Sequence, residues 1–542
     1  MNEVATIVEH DLLPQMIEAH ARDHGERIFL EQVEGELRQT YSETHARGLR
    51  WARAFRRLGV VDHDHVARFT PTCIESVNIW VGLGWLRATD VPINTDYRGA
   101  MLAAILENSE AEILVCANRW VEFVIAVADN LTHLKKIVVF DGMHRIPGDD
   151  RFEFIDAADI LDDTADVDES FEGPQSRDIA MVVYSSGTTG VSKAAMLPWG
   201  NYAMGARNIV PPGDVLTSDD VLYLPYPLFH IAGTFWVCGM ARAGGTVVLR
   251  EVFSTSNFWT DVAHYSATVS HLLGATANFL YRQPEQPEDG DNTLRLVLMV
   301  PLLKDVRGFE KRFGLEAFTD YGMTELGVVM RSELSPPDPM SCGRPLPEFE
   351  LRIVDSHDTE LPIGEAGELV VRTRSPWIMS TGYFGMAEAT AAAWQNLWFH
   401  TGDEFRRDET GSYHFIDRLK DTIRRRGENI SSVEVESYVL RHDAVFECVA
   451  IAAPSEWGED EVKLCIVPKE GREIQPLELY EFLVAADMPR FMLPRYIILV
   501  PGLPRTQTGK LQKHVIRKEH GNTEGWDRDI LRPLAARGAA RQ

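Results

Sequence analysis

Short β-branched runs alternate with stretches of helical spacing along most of this chain, and that alternation limits the fold more than any other feature. Residues 41–58 (YSETHARGLRWARAFRRL) repeat apolar side chains at helical spacing and stop at Gly59, and residues 66–69 follow as a short strand. A helix over 73–87, a strand over 90–93, a helix over 101–108 and a strand over 112–116 continue the pattern, with 136–140 and 179–184 as further apolar strands. Strands separated by helices are not joined by hairpins, so the pattern predicts parallel sheets covered on both faces. Residues 77–86 (VNIWVGLGWL) fall short of the roughly 20 residues a membrane span needs and read as a buried helix. The acidic stretch 149–177 reads as a surface connection, and from about 346 to 371 short strands with turn signals suggest an antiparallel or barrel-like piece. The last 120 or so residues carry their own strands and helices, over 445–452, 462–467 and 477–485, enough for a small core. Residues after 522 lack apolar periodicity and are expected to fray.

Composition narrows the function. The 542 residues hold 54 Lys and Arg against 81 Asp and Glu, a formal charge of −27, and 45% are apolar. That is enough apolar material for a large core, and the acidity excludes a protein that tracks nucleic-acid phosphates or lies on anionic lipid. Any polyanion must be small and held by a local pocket of donors. Cys73, Cys116, Cys238, Cys342, Cys448 and Cys465 form no CxxC pair and read as free thiols of a reducing compartment. The N-terminus, MNEVATIVEHDLLPQM, lacks a basic segment followed by an apolar one, so no signal peptide is expected and the reading is cytoplasmic.

One segment supplies such a pocket. Residues 184–193, YSSGTTGVSK, follow a predicted strand and combine two glycines, five Ser/Thr hydroxyls and a lysine. Gly187 and Gly190 let backbone N–H groups turn toward an anion, and the hydroxyls with Lys193 add donors. The Walker A spacing does not fit.

Here the sequence resembles the adenylate-forming superfamily of acyl-CoA synthetases, aryl-CoA ligases, luciferases and nonribosomal adenylation domains. Its phosphate signature reads roughly [YT]-[ST]-S-G-T-T-G-x-P-K-G, and this chain departs from it at Ser192 and Ala194. Further motifs follow in family order: 224–233 (LPYPLFHIAG), 320–325 (DYGMTE), 398–403 (WFHTGD), 417–424 (DRLKDTIR) and 504–510 (PRTQTGK). The resemblance spans about residues 25–515, and its texture is nearest the crotonobetaine/carnitine-CoA ligase group. It implies an α/β fold: a large domain of stacked α/β subdomains with a barrel-like β subdomain over 1–417, and a small mobile α+β domain over 418–542, hinged near 418–420.

It also implies an ATP-dependent acid–thiol ligase that makes an acyl-adenylate with release of pyrophosphate and then transfers the acyl group to coenzyme A. Loading of a carrier-protein thiol, adenylation alone, and a non-catalytic nucleotide-binding module are the alternatives. By the resemblance, Ser185, Ser186, Gly187, Thr188, Thr189, Gly190 and Lys193 hold the ATP phosphates, with Asp320, Tyr321, Gly322, Met323, Thr324 and Arg424 at the nucleotide. Glu325 with Thr188 contacts Mg²⁺, a cation that prefers hard oxygen ligands. Asp403 accepts from the ribose hydroxyls beside Arg418, Lys510 bridges the reacting oxygens, and Lys420 is the hinge. Arg426 and Gly427 flank the coenzyme A channel, while His230, Trp236, Gly274 and Gly327 line the acyl pocket. Gly274 stands where relatives often carry Pro, and LMVPL at 298–302 replaces the usual GGAPL segment, so the acid is left open among medium-chain, aromatic and polycyclic carboxylates. Family members vary in assembly, and a homodimer is one of the states considered.

Overall fold

The computed structural model describes residues 7–144, 148–162, 170–185, 193–211, 215–419, 421, 423–425, 428–454, 460–486, 488–490, 492–505 and 511–529. The chain divides into two compact units, the first comprising Met1–Glu350 with Val371–Phe399 and the second Leu351–Val370 with His400–Gln542.

Two seven-stranded sheets, each parallel except at one edge, make up the body of the first unit. One has the strand order Glu153–Asp156, Lys136–Val139, Ile113–Cys116, His65–Phe69, Thr89–Pro92, Ile179–Ser185 and Lys193–Pro198, the last pair being antiparallel. The other runs Glu316–Phe318, Leu296–Val300, Val269–Leu273, Val221–Leu224, Thr246–Leu249, Ile28–Gln32 and Leu37–Thr40, with its last pair antiparallel. The helix read at 41–58 is Tyr41–Arg57, opened by a reciprocal cap in which Thr40 Oγ1 accepts from Glu43 N and the Glu43 carboxylate accepts from Thr40 N. It packs on Ile74–Trp85, whose apolar character on every side reflects near-complete burial. Glycines permit the close approach: a Cβ at Gly48 would stand 2.6 Å from Val81, and one at Gly82 would stand 2.6 Å from Trp51. No helix among the described residues is long and apolar enough to cross a membrane. All six cysteines are free, five buried and Cys342 half-buried.

One expectation is corrected. Within the acidic stretch 149–177, Glu153–Asp156 is an edge strand parallel to Lys136–Val139, and Ala157–Asp162 is a short helix. An edge strand keeps one side toward water, so its polar residues hide it from a search for apolar runs.

A buried ion pair ties the first sheet to one loop. Arg68 and Asp90, on adjacent parallel strands, meet at 2.7 Å with their side chains 2% and 0% exposed. Arg68 also donates to Thr70 Oγ1 and, at 3.5 Å, to the Leu228 carbonyl. Thr72 Oγ1 donates to the Tyr226 carbonyl and accepts from Leu228 N. The loop leading to His230 is thus fastened to the first sheet at both Tyr226 and Leu228.

In the second unit, Trp398–Arg407 pairs antiparallel with Tyr413–Arg418. A separate four-stranded sheet runs Val445–Pro454, Asp460–Pro468, Tyr496–Leu499 and Trp526–Asp527. The helices Ser432–Val439 and Pro476–Ala485 bury Val435, Val439, Leu479 and Leu483 with Leu464 and Ile466 of that sheet in one core.

Arg68→Ala leaves Asp90 buried without its counter-ion, so a loss of about 3–5 kcal/mol in denaturant unfolding is expected. The paired change Arg68→Met with Asp90→Leu should recover most of it. Unfolding of the single variant at the native midpoint would contradict this role.

Candidate functional site

The strands Ile179–Ser185 and Lys193–Pro198 pair with Ser185 opposite Lys193, so both ends of the glycine-rich segment are placed. Ser186, Gly187, Thr188, Thr189 and Gly190 lie outside the described residues, as does the side chain of Ser185. On the other side of Lys193–Pro198 runs the segment 380–384. Thr381 N donates to the Met196 carbonyl, Met196 N to the Gly382 carbonyl and Phe384 N to the Ala194 carbonyl, at 2.8–3.0 Å. This strap places Tyr383 between two predicted site residues. Its ring lies 4.9 Å from Lys193 Nζ, and its hydroxyl donates to Glu325 Oε1 at 2.8 Å. Burial and the adjacent Glu325 carboxylate both push the Tyr383 phenol up, which keeps it a neutral donor. Ser380 N donates to the Glu325 carbonyl at 2.6 Å, so the strap fixes the backbone of Glu325 as well as its side chain.

Glu325 is buried, and among the described residues no cluster of three or more His, Cys, Asp or Glu side chains could cage a metal. A lone carboxylate with one oxygen engaged by Tyr383 fits a cation that takes its other ligands from water and from substrate phosphates, as Mg²⁺ does. Thr188, the other expected contact, lies outside the described residues.

Glu325 ends a turn whose geometry is set by two strands. Asp320–Met323 pairs antiparallel with Gly327–Arg331, with a bulge between Tyr321 and Gly322. A Cβ on Gly322 would come within 2.3 Å of the Gly327 carbonyl, and Gly327 itself has φ +72°, so both positions require glycine. Tyr321, Met323 and Thr324 are half-buried and Gly322 is exposed. Opposite Asp320 stands Arg331, which donates to the Asn208 carbonyl at 2.6 Å and to that of Val210. Burial pushes the Asp320 carboxyl up to about 7 against the pull of Arg331, and burial brings the Arg331 guanidinium down to about 10.

The residues expected around an acyl group divide. His230 is the N-cap of the helix Ile231–Ala243, its Nδ1 accepting from Ala232 N at 3.1 Å. Trp236, on the same helix, is fully buried and donates through Nε1 to His271 Nδ1 at 3.2 Å. Gly327 faces the same helix, with a built Cβ 3.5 Å from the Phe235 ring. Gly274 begins the helix Gly274–Tyr281, where a Cβ would stand 2.8 Å from the Pro301 carbonyl.

In the second unit Asp403 and Arg418 are direct cross-strand partners, Nε to Oδ1 at 3.4 Å, with Asp403 buried and Arg418 half-buried. Thr401 Oγ1 accepts from Asp403 N at 3.1 Å, and Glu368 accepts from Gly402 N at 2.9 Å, so the turn carrying the carboxylate is held on both sides. Asp417 caps the helix Ser432–Val439 by accepting from both Ser432 N and Ser432 Oγ at 2.6 Å. Lys513, which donates to the same Ser432 hydroxyl, is also paired with Glu436 at 2.8 Å. Arg424 lies in the strand Ile423–Arg425, with its side chain outside the described residues, as are Lys420, Arg426, Gly427 and Lys510 altogether.

Reading the sequence alone missed Tyr383 and His271. Tyr383 sits 58 residues beyond Glu325 and 190 beyond Lys193 with no local signal, because only strand pairing brings it to them. His271 lies within the strand Val269–Leu273, where it reads as a break in an apolar run.

Comparisons with known proteins give the family. A family profile described as AMP-binding enzyme matches residues 17–384, and a second, AMP-binding enzyme C-terminal domain, matches 434–510. The crotonobetaine/carnitine–CoA ligase of Salmonella paratyphi B is 30% identical over 519 residues, covering 94% of this chain and 99% of that protein. ATP-bound MatB from Rhodopseudomonas palustris superposes with a TM-score of 0.82 at 25% identity, over 94% of this chain and 99% of its own. The anthranilate CoA ligase AuaEII, solved with anthranoyl-AMP, superposes with a TM-score of 0.83 at 22% identity over 94% and 97% of the two chains, a likeness of fold. With the first profile spanning more than half of the chain, its glycine-rich segment and its turn at Glu325 included, this chain belongs to the AMP-binding enzyme family, the adenylate-forming enzymes.

Proposed function

We propose that this protein is an ATP-dependent acyl-CoA ligase that joins a carboxylic acid to the thiol of coenzyme A through an acyl-adenylate. In the first half-reaction a carboxylate oxygen attacks the α-phosphorus of ATP and the bond to the bridging oxygen breaks, releasing pyrophosphate. In the second, the thiolate sulfur attacks the acyl carbon, the bond from that carbon to the phosphate oxygen breaks, and AMP leaves. The protein's task is alignment and neutralisation of developing charge rather than covalent help.

The convergence of Lys193, Tyr383 and Glu325 carries this reading. Lys193 and the backbone and hydroxyls of 185–190 take the β- and γ-phosphates. Glu325 with Thr188 would hold Mg²⁺, which would supply positive charge against the phosphates. Tyr383 holds Glu325 in place by donating to it. Asp320, Tyr321, Gly322, Met323 and Thr324 seat the nucleotide, with Arg424 beside it, and Asp403 accepts from the ribose hydroxyls beside Arg418. The acid lies against His230, Trp236, Gly274 and Gly327. Lys510 brings an ammonium to the reacting oxygens from the small domain, which we place at 418–542 after a hinge at Lys420. A turn of that domain then presents Arg426 and Gly427 to coenzyme A. The enzyme acts in the cytoplasm, and a homodimer is the assembly we consider.

ATP–pyrophosphate exchange over a panel of acids, followed by thioester detection with and without coenzyme A, tests the whole scheme. Thioester formed only on a carrier-protein thiol would replace coenzyme A as the acceptor, and exchange without any thioester would leave adenylation alone. Nucleotide binding with no exchange for any acid would leave a binding module. Lys510→Ala is expected to slow exchange by about 10²–10³-fold, the scale for losing one preorganised donor, with the melting temperature unchanged. An unaltered exchange rate would remove Lys510 from the mechanism. Gly427→Trp is expected to reduce thioester formation at least tenfold more than pyrophosphate release, about 1.4 kcal/mol on the second step alone. Equal losses in both steps would contradict a thiol channel there.

A further inference from the structure

Opposite charges that stand close together in a partly buried site pair with one another unless something separates them, and a pair formed in the empty protein competes with any ligand. Lys193 and Glu325 are placed near enough for such a pair, because both touch one side chain. Lys193 Nζ lies 4.9 Å from the ring centroid of Tyr383, and Glu325 Oε1 lies 2.8 Å from its hydroxyl. Lys193 is half-buried, and Glu325 and Tyr383 are buried. Strand pairing sets the first contact: Tyr383 bridges to Ala195, which shares a face of its strand with Lys193, so the ring lies beside the lysine.

The ring has little freedom to move aside. Its neighbours in the chain are bonded to that strand, Met196 N donating to the Gly382 carbonyl and Phe384 N to the Ala194 carbonyl. Tyr383 N donates to Thr390 Oγ1 at 2.9 Å, and Trp394 meets the ring near edge-on, with centroids 5.8 Å apart. Held in this way, the side chain shows a different chemistry to each charge. A phenol O–H donates to a carboxylate and leaves its full negative charge in place, and a π face attracts an ammonium without cancelling its charge. A direct ion pair would cancel both. Its attraction exceeds that of a cation–π contact, so removal of the ring favours it.

We infer that Tyr383 is a positioning residue that keeps Lys193 and Glu325 from pairing with each other, so that the ammonium is kept for nucleotide phosphate and the second carboxylate oxygen for the divalent cation that accompanies it. This rests on the ligase reading above, which puts the phosphates at Lys193 and the cation at Glu325. The hydroxyl and the ring then have separable duties: the first orients the carboxylate, and the second holds the lysine away from it.

The test is ATP binding by isothermal titration calorimetry with no acid present, in EDTA and in Mg²⁺, so that binding is read without turnover. In the native protein Mg²⁺ is expected to tighten binding. Tyr383→Phe keeps the ring and loses only the O–H, so its affinity in EDTA should stay native while the tightening by Mg²⁺ shrinks about tenfold, the scale for losing a hydrogen bond to a charged group. Tyr383→Leu also removes the ring and lets Lys193 reach Glu325, so affinity in EDTA should fall about tenfold, the scale for losing one charge-assisted contact. Adding Glu325→Gln to Tyr383→Leu should bring that affinity back to the value for Glu325→Gln alone. A role in packing only would lower the affinities in EDTA and in Mg²⁺ together, along with the melting temperature, and Glu325→Gln would recover nothing. That result, a native affinity indifferent to Mg²⁺, or an unchanged Mg²⁺ effect in Tyr383→Phe overturns the inference while leaving the ligase reading standing. A native protein that binds no ATP in either condition overturns the ligase reading and this inference with it.

Discussion

A carboxylate buried beside a phosphate-binding segment repels its own ligand unless a cation lies between them, and that electrostatic constraint organises the site. Glu325 is buried, and under the proposed function it would be such a carboxylate. Its position is fixed three times over: by the tight turn between Asp320–Met323 and Gly327–Arg331, by Ser380 N on its carbonyl and by Tyr383 on its side chain. Tyr383 in turn is placed by strand pairing with Lys193–Pro198, the strand whose first residue is the lysine expected at the phosphates. A chain with a net charge of −27 can bind a highly charged nucleotide only if donors and a metal are concentrated at one spot. The strap at 380–384 places Tyr383 between Lys193 and Glu325.

The two parallel sheets supply the frame. Their carboxyl edges carry the loops with chemistry on them, as the alternation of strands and helices requires. The buried Arg68–Asp90 pair is informative because it does little for stability that two apolar residues could not do. Its structural consequence is different: Arg68 and Thr72 tie down the loop 225–230, so His230 begins its helix at a set place relative to the first sheet. In the second unit the same economy appears at Asp417, which caps one helix while its neighbour Arg418 pairs with Asp403.

Much of this was legible in the sequence. Apolar runs and glycine stops located the helices Tyr41–Arg57 and Ile74–Trp85 to within two residues, because burial on one face or on all faces leaves a periodic trace. The family motifs gave the turn at Glu325 and the Asp403–Arg418 pair, since in both cases the geometry is set within a few residues or one hairpin. What was not legible depends on distant pairing. Glu153–Asp156 hid behind its acidic composition, Tyr383 reaches Glu325 only through a strap that no local pattern announces, and His271 meets Trp236 only through packing of a strand against a helix distant in sequence.

The central claim is that a carboxylate oxygen of the acid forms a bond to the α-phosphorus of ATP. The most direct measurement is to run the complete reaction with acid labelled with ¹⁸O in its carboxylate and to analyse the phosphorus products by mass spectrometry. The account predicts one ¹⁸O per AMP formed, because cleavage of the acyl–oxygen bond by the thiol leaves that oxygen on phosphorus. Label appearing in inorganic phosphate alongside ADP, or AMP formed without label, would contradict it.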